Sequence, residues 1–428
     1  MKKFARQGVL AGIATLALTV TGCSSTPAPA AGGDAKAAAE ITFLTFKSPN
    51  LTDEFWKKQV AEIQKTYPKL KVKIEYTPGL DRQGYAKQLL ATGNLPDVIW
   101  DAPLNDFVKA NALLPYETSD LTDISVPASA GAINGKHYSL TLGAQVIPAI
   151  YYNKDDFSKL GISTPKTFAQ LETAAEKIKA AGKTPFLIGG GADSWASTIF
   201  LDGIITSDVL GTTPDWQEQR KAGKVKFTDA AFASAVTKWK GLFDKGYFNS
   251  DALTVDYSAL SAKFANGQGV MYPMGSWAGT TKASFSVGVF PLPGQKTGQT
   301  TLGLNYGQAL AVSAKTKFPA QARAFAVALA TGKGANEAQL NSDSLIPVVK
   351  AFTIPDATAP LIKDSFAVYK TAGAKNVDPF EWTQGANALP SGFNAEFDKG
   401  AQGLISGQGT VSSFLTAMDK AYDDLNRQ

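Results

Sequence analysis

Five aromatic residues fall in predicted loops or at predicted strand ends, each beside polar side chains, and this pattern suits ligand binding. They are Trp100, Trp195, Trp277, Tyr306 and Trp382. Their polar neighbours are Asp101, Asp193 with Ser194, Ser276, Asn305, and Glu381 with Gln384. A flat ring can cover the apolar C–H face of a sugar while carboxylate, amide and hydroxyl groups hydrogen-bond its rim. These are the side chains that a site for such a ligand would need, and the alternative for each ring is that it belongs to the core or to a lid.

The remaining tryptophans are interpreted as structural. Trp56 and Trp239 lie within helical patterns of apolar residues, so we expect them in the core. Trp216 stands beside Pro214 and Asp215 and is a candidate for the surface.

The residues that most enzymes use for catalysis are scarce. His137 is the only histidine and Cys23 the only cysteine in 428 residues, which leaves no Cys/His cluster for zinc or haem. His137 lies in a predicted turn before a strand, where a solvated or supporting role is favoured over a place in a catalytic triad. The glycines at 189–191 and 267–269 do not match the Walker or dinucleotide patterns. The sequence therefore predicts a protein that is not an enzyme and has no catalytic residue, cofactor or metal.

The first 23 residues predict export and attachment to a membrane. Three cations among the first six residues precede an apolar stretch, residues 9–20, that is too short to span a bilayer permanently. Val20-Thr21-Gly22-Cys23 resembles the lipobox of bacterial lipoproteins, in which the cysteine carries lipid. We expect residues 1–22 to be a signal peptide and residues 23–39 to be a lipidated cysteine with a flexible linker. The alternative is an ordinary secretory signal that contains a cysteine by chance.

Size and charge restrict the class of protein further. Removing the cations of the signal peptide lowers the formal net charge from +5 to +2, and a nearly neutral body has no electrostatic reason to bind nucleic acid. The body of about 400 residues is larger than one core usually supports, which predicts two lobes. We expect a monomer held at the outer face of the cytoplasmic membrane by lipid on Cys23.

Alternating strand and helix patterns predict an α/β fold that gathers polar residues at one edge of a sheet. β-rich runs at 41–46, 72–76 and 97–101 alternate with helical patterns at 56–67 and around 85–91. Such alternation favours a mostly parallel sheet covered on both faces, with ligands beyond the carboxyl ends of its strands. The polar candidates in the segments after these strands are Lys47, Ser48, Arg82 and Asp101.

The second half alternates in the same way without an internal repeat. Thr167 begins a predicted helix with a capping pattern. A helical pattern at 258–267 and a short β-rich run at 269–272 follow further along the chain. Trp195 and Trp277 stand at loop-to-helix junctions of this half, where their side chains can face a ligand.

Four stretches together resemble one protein family. They are residues 95–100 with Pro96-Asp97-Val98, 151–168, 263–277 ending in Gly275-Ser276-Trp277, and 290–294. In this order they are similar to the extracellular solute-binding proteins of bacterial ABC importers, specifically the large sugar-binding family that includes maltose-binding protein. One departure lies after the first strand, where many members carry a tryptophan and this chain has Phe46-Lys47-Ser48.

The resemblance implies an α/β, two-lobed periplasmic-binding-protein-like fold of type II, with a hinge between the lobes. The chain would cross between the lobes near residues 143–148, 299–306 and 345–360. Lobe 1 would comprise residues 40–145 and 306–350, and lobe 2 residues 146–305 and 351–428.

The resemblance also implies a function, which is extracytoplasmic capture of an oligosaccharide for the transmembrane subunits of an ABC importer. Within that site we expect Trp277 and Trp195 to be stacking platforms on lobe 2 and Asp101 to accept sugar hydroxyls on lobe 1. The alternatives are a receptor for a peptide or polyamine on the same fold and, less favoured, a glycoside hydrolase. A polyamine site would favour a denser cluster of acids. A hydrolase needs two carboxylates at a set separation, and the sequence identifies no such pair.

Overall fold

The structure is a computed structural model that describes residues 33–79, 81–307, 309–381, 385 and 388–427. The predicted signal peptide, Cys23 and Trp382 lie outside the described residues, so the expectations for them stay predictions. No helix in the described part of the chain is long and apolar enough to cross a membrane.

Short strands alternate with helices along the described chain. Strands β1 to β14 are Ala39–Thr45, Leu70–Tyr76, Val98–Trp100, Leu113–Leu114, Ala132–Ile133, Lys136–His137, Ser139–Thr141, Gln145–Val146, Ala149–Asn153, Met271–Met274, Val287–Pro291, Thr301–Asn305, Ala309–Ser313 and Lys375–Val377. Helices α1 to α14 are Asp53–Thr66, Arg82–Ala91, Leu104–Lys109, Lys154–Lys159, Phe168–Ala180, Trp195–Ile205, Trp216–Lys221, Ala230–Asp244, Tyr257–Ala265, Pro319–Thr331, Lys333–Asp343, Pro360–Tyr369, Phe393–Ile405 and Val411–Asn426.

The first lobe is built on a sheet with the strand order β2-β1-β3-β13-β4, in which β7 also pairs with β13. β1 runs parallel to β2 and β3, whereas β13 runs antiparallel to β3. The predicted parallel sheet is thus confirmed for its first three strands. Phe43 of β1 packs against Trp56 of α1 and Phe325 of α10, with ring centroids 5.7 and 5.2 Å away. Trp56 is fully buried, as its helical pattern predicts.

The second lobe surrounds an antiparallel sheet with the order β10-β9-β11. Helices α5, α6, α8, α13 and α14 contribute to its apolar core, in which Trp239 is fully buried as predicted. The expectation that Trp216 lies at the surface is wrong, because this residue is only 3% exposed. Its ring packs against Phe227 and Phe232, with centroids 5.0 and 4.7 Å away.

The segments predicted to cross between the lobes lie side by side in the structure. β12 pairs with both β8 and β14, and beside them Ala144 forms an isolated β-bridge with Ile346. Gly143 is required at this point, because a Cβ atom there would lie 2.7 Å from the carbonyl oxygen of Ile346. The fold is the two-lobed type II arrangement. The lobe boundaries proposed from the sequence fall in or beside these passages and stay predictions.

Candidate functional site

A polar group forms where β1, β2 and β3 end, at the edge of the sheet that the sequence predicts. Arg82 Nε lies 3.3 Å from Asp101 Oδ2, and Gln83 donates a hydrogen bond to Asp101 Oδ1 over 3.3 Å. The Arg82 guanidinium also covers the Phe46 ring, 4.4 Å from its centroid. Asp101 has a left-handed backbone with φ 54°, so the chain turns sharply as it leaves β3. Both charged side chains stay partly exposed and can hydrogen-bond a ligand.

Trp100 lies in the core next to the Arg82–Asp101 pair and does not face the cleft. It is 3% exposed, and its ring packs edge-on against Phe46 and Trp56, with centroids 5.5 and 4.9 Å away. Trp100 is therefore left out of the site proposed below, because its side chain is almost fully buried.

A second polar pair, which the sequence did not reveal, lies where the first lobe meets the second. Asn50 Nδ2 donates to Asp343 Oδ1 over 2.9 Å and lies 3.5 Å from the carbonyl oxygen of Trp277. Burial raises the pKa of Asp343 to about 7, while the Asn50 hydrogen bond and the charge of Arg82 act in the opposite direction. Asp343 ends α11 and carries no sequence signal of its own. Only its place two residues before a predicted crossing segment could have drawn attention to it.

The second lobe presents an aromatic cluster, Trp195, Tyr257 and Trp277. The Trp195 ring centroid lies 5.3 Å from that of Tyr257 and 5.8 Å from that of Trp277. The Trp277 side chain also hydrogen-bonds the Tyr257 hydroxyl. All three are half-buried, so parts of the rings remain accessible. The structure thus brings the two predicted platforms together and adds Tyr257, which lies one residue before the helical pattern predicted at 258–267 and begins α9.

Glycine and serine of the Gly275-Ser276-Trp277 motif hold the Trp277 indole in place. A Cβ atom on Gly275 would lie 2.0 Å from the Trp277 ring, so only glycine lets the indole fold back over the backbone. Ser276 is 1% exposed, and its hydroxyl accepts a hydrogen bond from the Val146 backbone N–H over 3.3 Å. Ser276 therefore ties the tryptophan loop to the connection between the lobes and is not open to a ligand.

Two other predicted polar contacts are engaged with the backbone. Asp193, which is 7% exposed, accepts a hydrogen bond from the Tyr257 N–H over 2.8 Å. Asn305 Oδ1 accepts from the N–H of Gly307 over 2.6 Å. In the structure Asp193 positions an aromatic ring of the cluster, and Asn305 shapes the passage between β12 and β13.

The remaining described candidates lie around these groups. Lys47 is exposed, with its ammonium 4.9 Å from the centroid of the Tyr76 ring. The Ser48 hydroxyl accepts hydrogen bonds from the N–H groups of Asn50 and Leu51 over 3.2 and 3.1 Å, which fixes the turn that carries Asn50.

Tyr306 lies apart from the aromatic cluster. It is 9% exposed and lines a cavity of about 170 Å³ together with residues such as His137. None of the three rings of the aromatic cluster lines that cavity.

A buried acid cluster, Asp202, Glu381 and Asp398, lies behind the aromatic cluster. Asp398 accepts hydrogen bonds from the hydroxyls of Ser194 over 2.8 Å and Thr198 over 2.6 Å, at the start of the helix that carries Trp195. Burial raises the pKa of Glu381 to about 8 and that of Asp398 to about 6, and it raises the pKa of Asp202 as well. Within the described residues, no group of acids, histidine or cysteine is placed to hold a metal ion.

Two contacts join the outer rims of the lobes. Asn105 of α3 donates to the Gly385 carbonyl over 3.0 Å, and Lys87 of α2 hydrogen-bonds the Ser391 hydroxyl. Together with the Asn50 contact they connect the first lobe to the Trp277 turn, to Gly385 and to Ser391 in the second lobe. Bonds across the two lobes are the kind that a closing motion makes and breaks.

Comparison with known proteins identifies the family. Residues 48–336 match the model of the bacterial extracellular solute-binding proteins, and the chain belongs to this family. A multiple sugar-binding protein of Streptococcus mutans is 27% identical over 352 residues, which cover 78% of this chain and 80% of that protein.

Solved structures show the same architecture. A chitin oligosaccharide binding protein superposes with a TM-score of 0.79 at 25% identity, covering 91% of this chain and all of the other. A solute-binding protein in complex with raffinose superposes with a TM-score of 0.74 at 22% identity, with 91% of this chain and all of the other covered.

Proposed function

We propose that this protein captures a carbohydrate, more specifically an oligosaccharide, outside the cytoplasm and presents it to the transmembrane subunits of an ABC importer. The observation that carries the proposal is the pairing of two unlike surfaces. Hydrogen-bonding groups at Arg82, Asp101 and Asp343 belong to the first lobe, and the accessible rings of Trp195 and Trp277 belong to the second. A sugar has both an apolar face and a hydroxyl rim, so one ligand would engage both lobes.

The energies of these contacts suffice to bias lobe closure. Ring stacking contributes about 1 kcal/mol beyond area burial, and a hydrogen bond to a charged group contributes about 1.5–3 kcal/mol. A ligand that makes such contacts on both lobes at once binds the closed form better than the open one, which is the condition for shifting the population. A closed, loaded form is what a permease can recognise.

The names of the relatives support the carbohydrate class over the alternatives. The relatives in question are a multiple sugar-binding protein, a chitin oligosaccharide binding protein and a raffinose complex. A polyamine site would need carboxylates open to a cation, whereas Asp101 is already paired with Arg82. A hydrolase would need two accessible carboxylates at a set separation, and the acid cluster does not supply them, because Asp202 and Asp398 are 2% and 4% exposed. We therefore propose a binding protein without catalytic activity, acting as a monomer.

The test is a ligand screen with two readouts. Purified protein is incubated with raffinose, stachyose, chitotriose and maltotriose, and in parallel with trialanine and spermidine. The melting temperature reports binding, because a ligand that binds only the folded state stabilises it, and chromatography of the sugars reports hydrolysis. Stabilisation by a sugar without product supports the proposal. Stabilisation by the peptide or the polyamine alone would overturn the substrate class, and release of shorter sugars would overturn the non-enzymatic assignment.

We also propose that lipid on Cys23 anchors the protein at the outer face of the membrane. The support is the lipobox-like Val20-Thr21-Gly22-Cys23 sequence and the flexible composition of the linker that follows. More than one acyl chain is needed for stable anchoring, as a lipidated bacterial cysteine provides. In a bacterial host that processes lipoproteins, Cys23→Ser should move the protein from the membrane fraction to the soluble fraction. Equal membrane association of both forms would refute the anchor.

A further inference from the structure

Asp343 occupies a position that ligand capture, as described so far, does not explain. It is the last residue of α11, and Ser344 after it has a left-handed backbone that ends the helix. This end of α11 packs against the turn Ser276–Thr280, which carries Trp277. An ionisable group of the first lobe thus lies where the aromatic cluster of the second lobe begins.

The two carboxylate oxygens of Asp343 differ in their surroundings. Oδ1 accepts the hydrogen bond from Asn50. Among the residues that the structure describes, none donates a hydrogen bond to Oδ2, and the Asp343 residue as a whole is partly exposed. A carboxylate oxygen without a donor, on a partly exposed side chain near aromatic rings, is an acceptor for a ligand hydroxyl.

The charges around Asp343 indicate the kind of donor that it can take. Arg82 faces it from α2 and lowers its pKa, whereas Asp343 in turn raises the pKa of the Tyr257 hydroxyl, which faces it from α9. The carboxylate of Asp101 is already paired with Arg82. A cationic donor that approached Asp343 would be repelled by the positive charge of the Arg82 guanidinium. A neutral hydroxyl would not be repelled, so the site favours a hydroxyl donor.

Asn50 extends the effect of Asp343 across the lobes. Its amide nitrogen carries two hydrogens, and it lies within reach of both Asp343 Oδ1 at 2.9 Å and the Trp277 carbonyl oxygen at 3.5 Å. The Ser48 hydroxyl fixes the turn in which Asn50 stands. A side chain held in this way links the position of the carboxylate to that of the tryptophan loop.

We propose that Asp343 is a specificity-determining residue of the site: its Oδ2 accepts a ligand hydroxyl on the first lobe, and through Asn50 it fixes the Trp277 loop of the second lobe. The inference rests on the proposed carbohydrate function and deepens it. It predicts that hydroxyl recognition and stacking on Trp277 are coupled, so that losing the first weakens the second.

The proposal has a pH signature whose sign follows from linkage. A hydroxyl donor prefers the ionised carboxylate, so binding favours loss of the Asp343 proton. Burial places the pKa of Asp343 at about 7, hence affinity should rise from pH 5.5 to 7 and level off above it. Well below pH 7, each unit by which the pH rises should lower the dissociation constant up to about tenfold. A protonated Asp343 that donated to the ligand would give the opposite slope.

The experiment compares the wild type with Asp343→Asn, Asn50→Ala and a control, Asp364→Asn. Asp364 is a half-exposed carboxylate on α12 that forms a long ion pair of 3.6 Å with Lys154. Calorimetric titration with raffinose, stachyose, chitotriose and maltotriose is run from pH 5.5 to 8.5. We expect Asp343→Asn to weaken binding about tenfold or more at pH 8 and to abolish the pH dependence. Asn50→Ala should weaken binding while keeping a pH dependence, and the control should match the wild type.

Two results would overturn the inference while leaving the carbohydrate function intact. One is wild-type affinity that does not change with pH. The other is sugar binding by Asp343→Asn that equals that of the wild type. A ligand-free measurement covers the case in which Asp343→Asn folds poorly: tryptophan emission of the wild type should change near pH 7, because Asp343 ionises beside Trp277. If no sugar in the panel binds the wild type, the proposed function fails and this inference fails with it.

Discussion

Glu381→Gln is expected to make the protein more resistant to unfolding at alkaline pH. The pKa of Glu381 is raised from its ordinary value of 4.5 to about 8 by burial and by the nearby charge of Asp398. A carboxyl whose pKa is raised on folding contributes stability that is fully present below pH 4.5 and is lost as the pH rises through 8. The wild type should therefore lose stability across this whole window.

The size of the loss follows from the width of the window. Each pH unit between the unfolded and folded pKa values of one group removes up to about 1.4 kcal/mol from the free energy of unfolding. From pH 6 to pH 8, loss of the proton that Glu381 holds within the acid cluster should thus cost about 2 kcal/mol. Glutamine stays neutral over this range, and its amide can donate a hydrogen bond to Asp202, whose two carboxylate oxygens are enclosed. Replacing the ionisable Glu381 carboxyl with a neutral amide therefore removes the pH-dependent loss of unfolding free energy. The glutamine amide still supplies a hydrogen-bond donor to the acid cluster.

Urea unfolding followed by far-UV circular dichroism, at intervals from pH 5 to 8.5, measures the effect. The matched control is Glu396→Gln, an exposed glutamate on α13 in the same lobe. We expect the difference between Glu381→Gln and the wild type to grow in favour of the variant as the pH rises, and the control to follow the wild type. A difference that stays constant with pH would show that Glu381 ionises normally and would refute the reasoning.

Three further substitutions separate binding from stability. Trp277→Ala should weaken binding of the best panel sugar at least about tenfold, at ~1.4 kcal/mol per decade, and calorimetry showing unchanged affinity would remove this ring from the site. Gly275→Ala should also weaken binding, because its Cβ would lie 2.0 Å from the Trp277 ring and would force the ring to move. The matched control is Gly241→Ala, in open space on α8, which should have no effect in the same assay. Trp216→Ala should lower the free energy of unfolding by about 3–5 kcal/mol in urea titrations without a selective change in affinity, and a smaller cost would contradict its assignment to the second-lobe core.

The elements of the fold could be predicted because their signals are local. The strand at 41–46 corresponds to β1, which begins two residues earlier at Ala39, and Thr167 caps α5 by accepting a hydrogen bond from the Gln170 N–H. Trp216 could not be placed in the same way. Its local neighbours, Pro214 and Asp215, suggest a surface, whereas its burial depends on Phe227 and Phe232 in the segments that follow.

The candidate site was predictable in part. Residue type indicated Trp195 and Trp277, since a tryptophan in a loop has few structural reasons to be there. Tyr257 and Asp343 were missed because each lies at the end of a helix with an ordinary pattern. Their relevance comes only from the approach of the two lobes, and Asp343 lies 293 positions from its partner Asn50. No periodicity or motif records a contact of that kind.

The absence of a tryptophan just after the first strand is consistent with a site in which one lobe forms hydrogen bonds and the other stacks on the ligand. Just after the first strand, where many members of the family that the sequence resembles carry a tryptophan, this chain has Phe46-Lys47-Ser48. Phe46 is 8% exposed and is covered by the Arg82 guanidinium. The first lobe therefore presents a charged, hydrogen-bonding plane at the place where a ring would otherwise stack. In the proposed site, stacking is therefore the role of Trp195 and Trp277 in the second lobe. Since neither surface alone offers both kinds of contact, the proposal requires that a sugar be bound by both lobes at once.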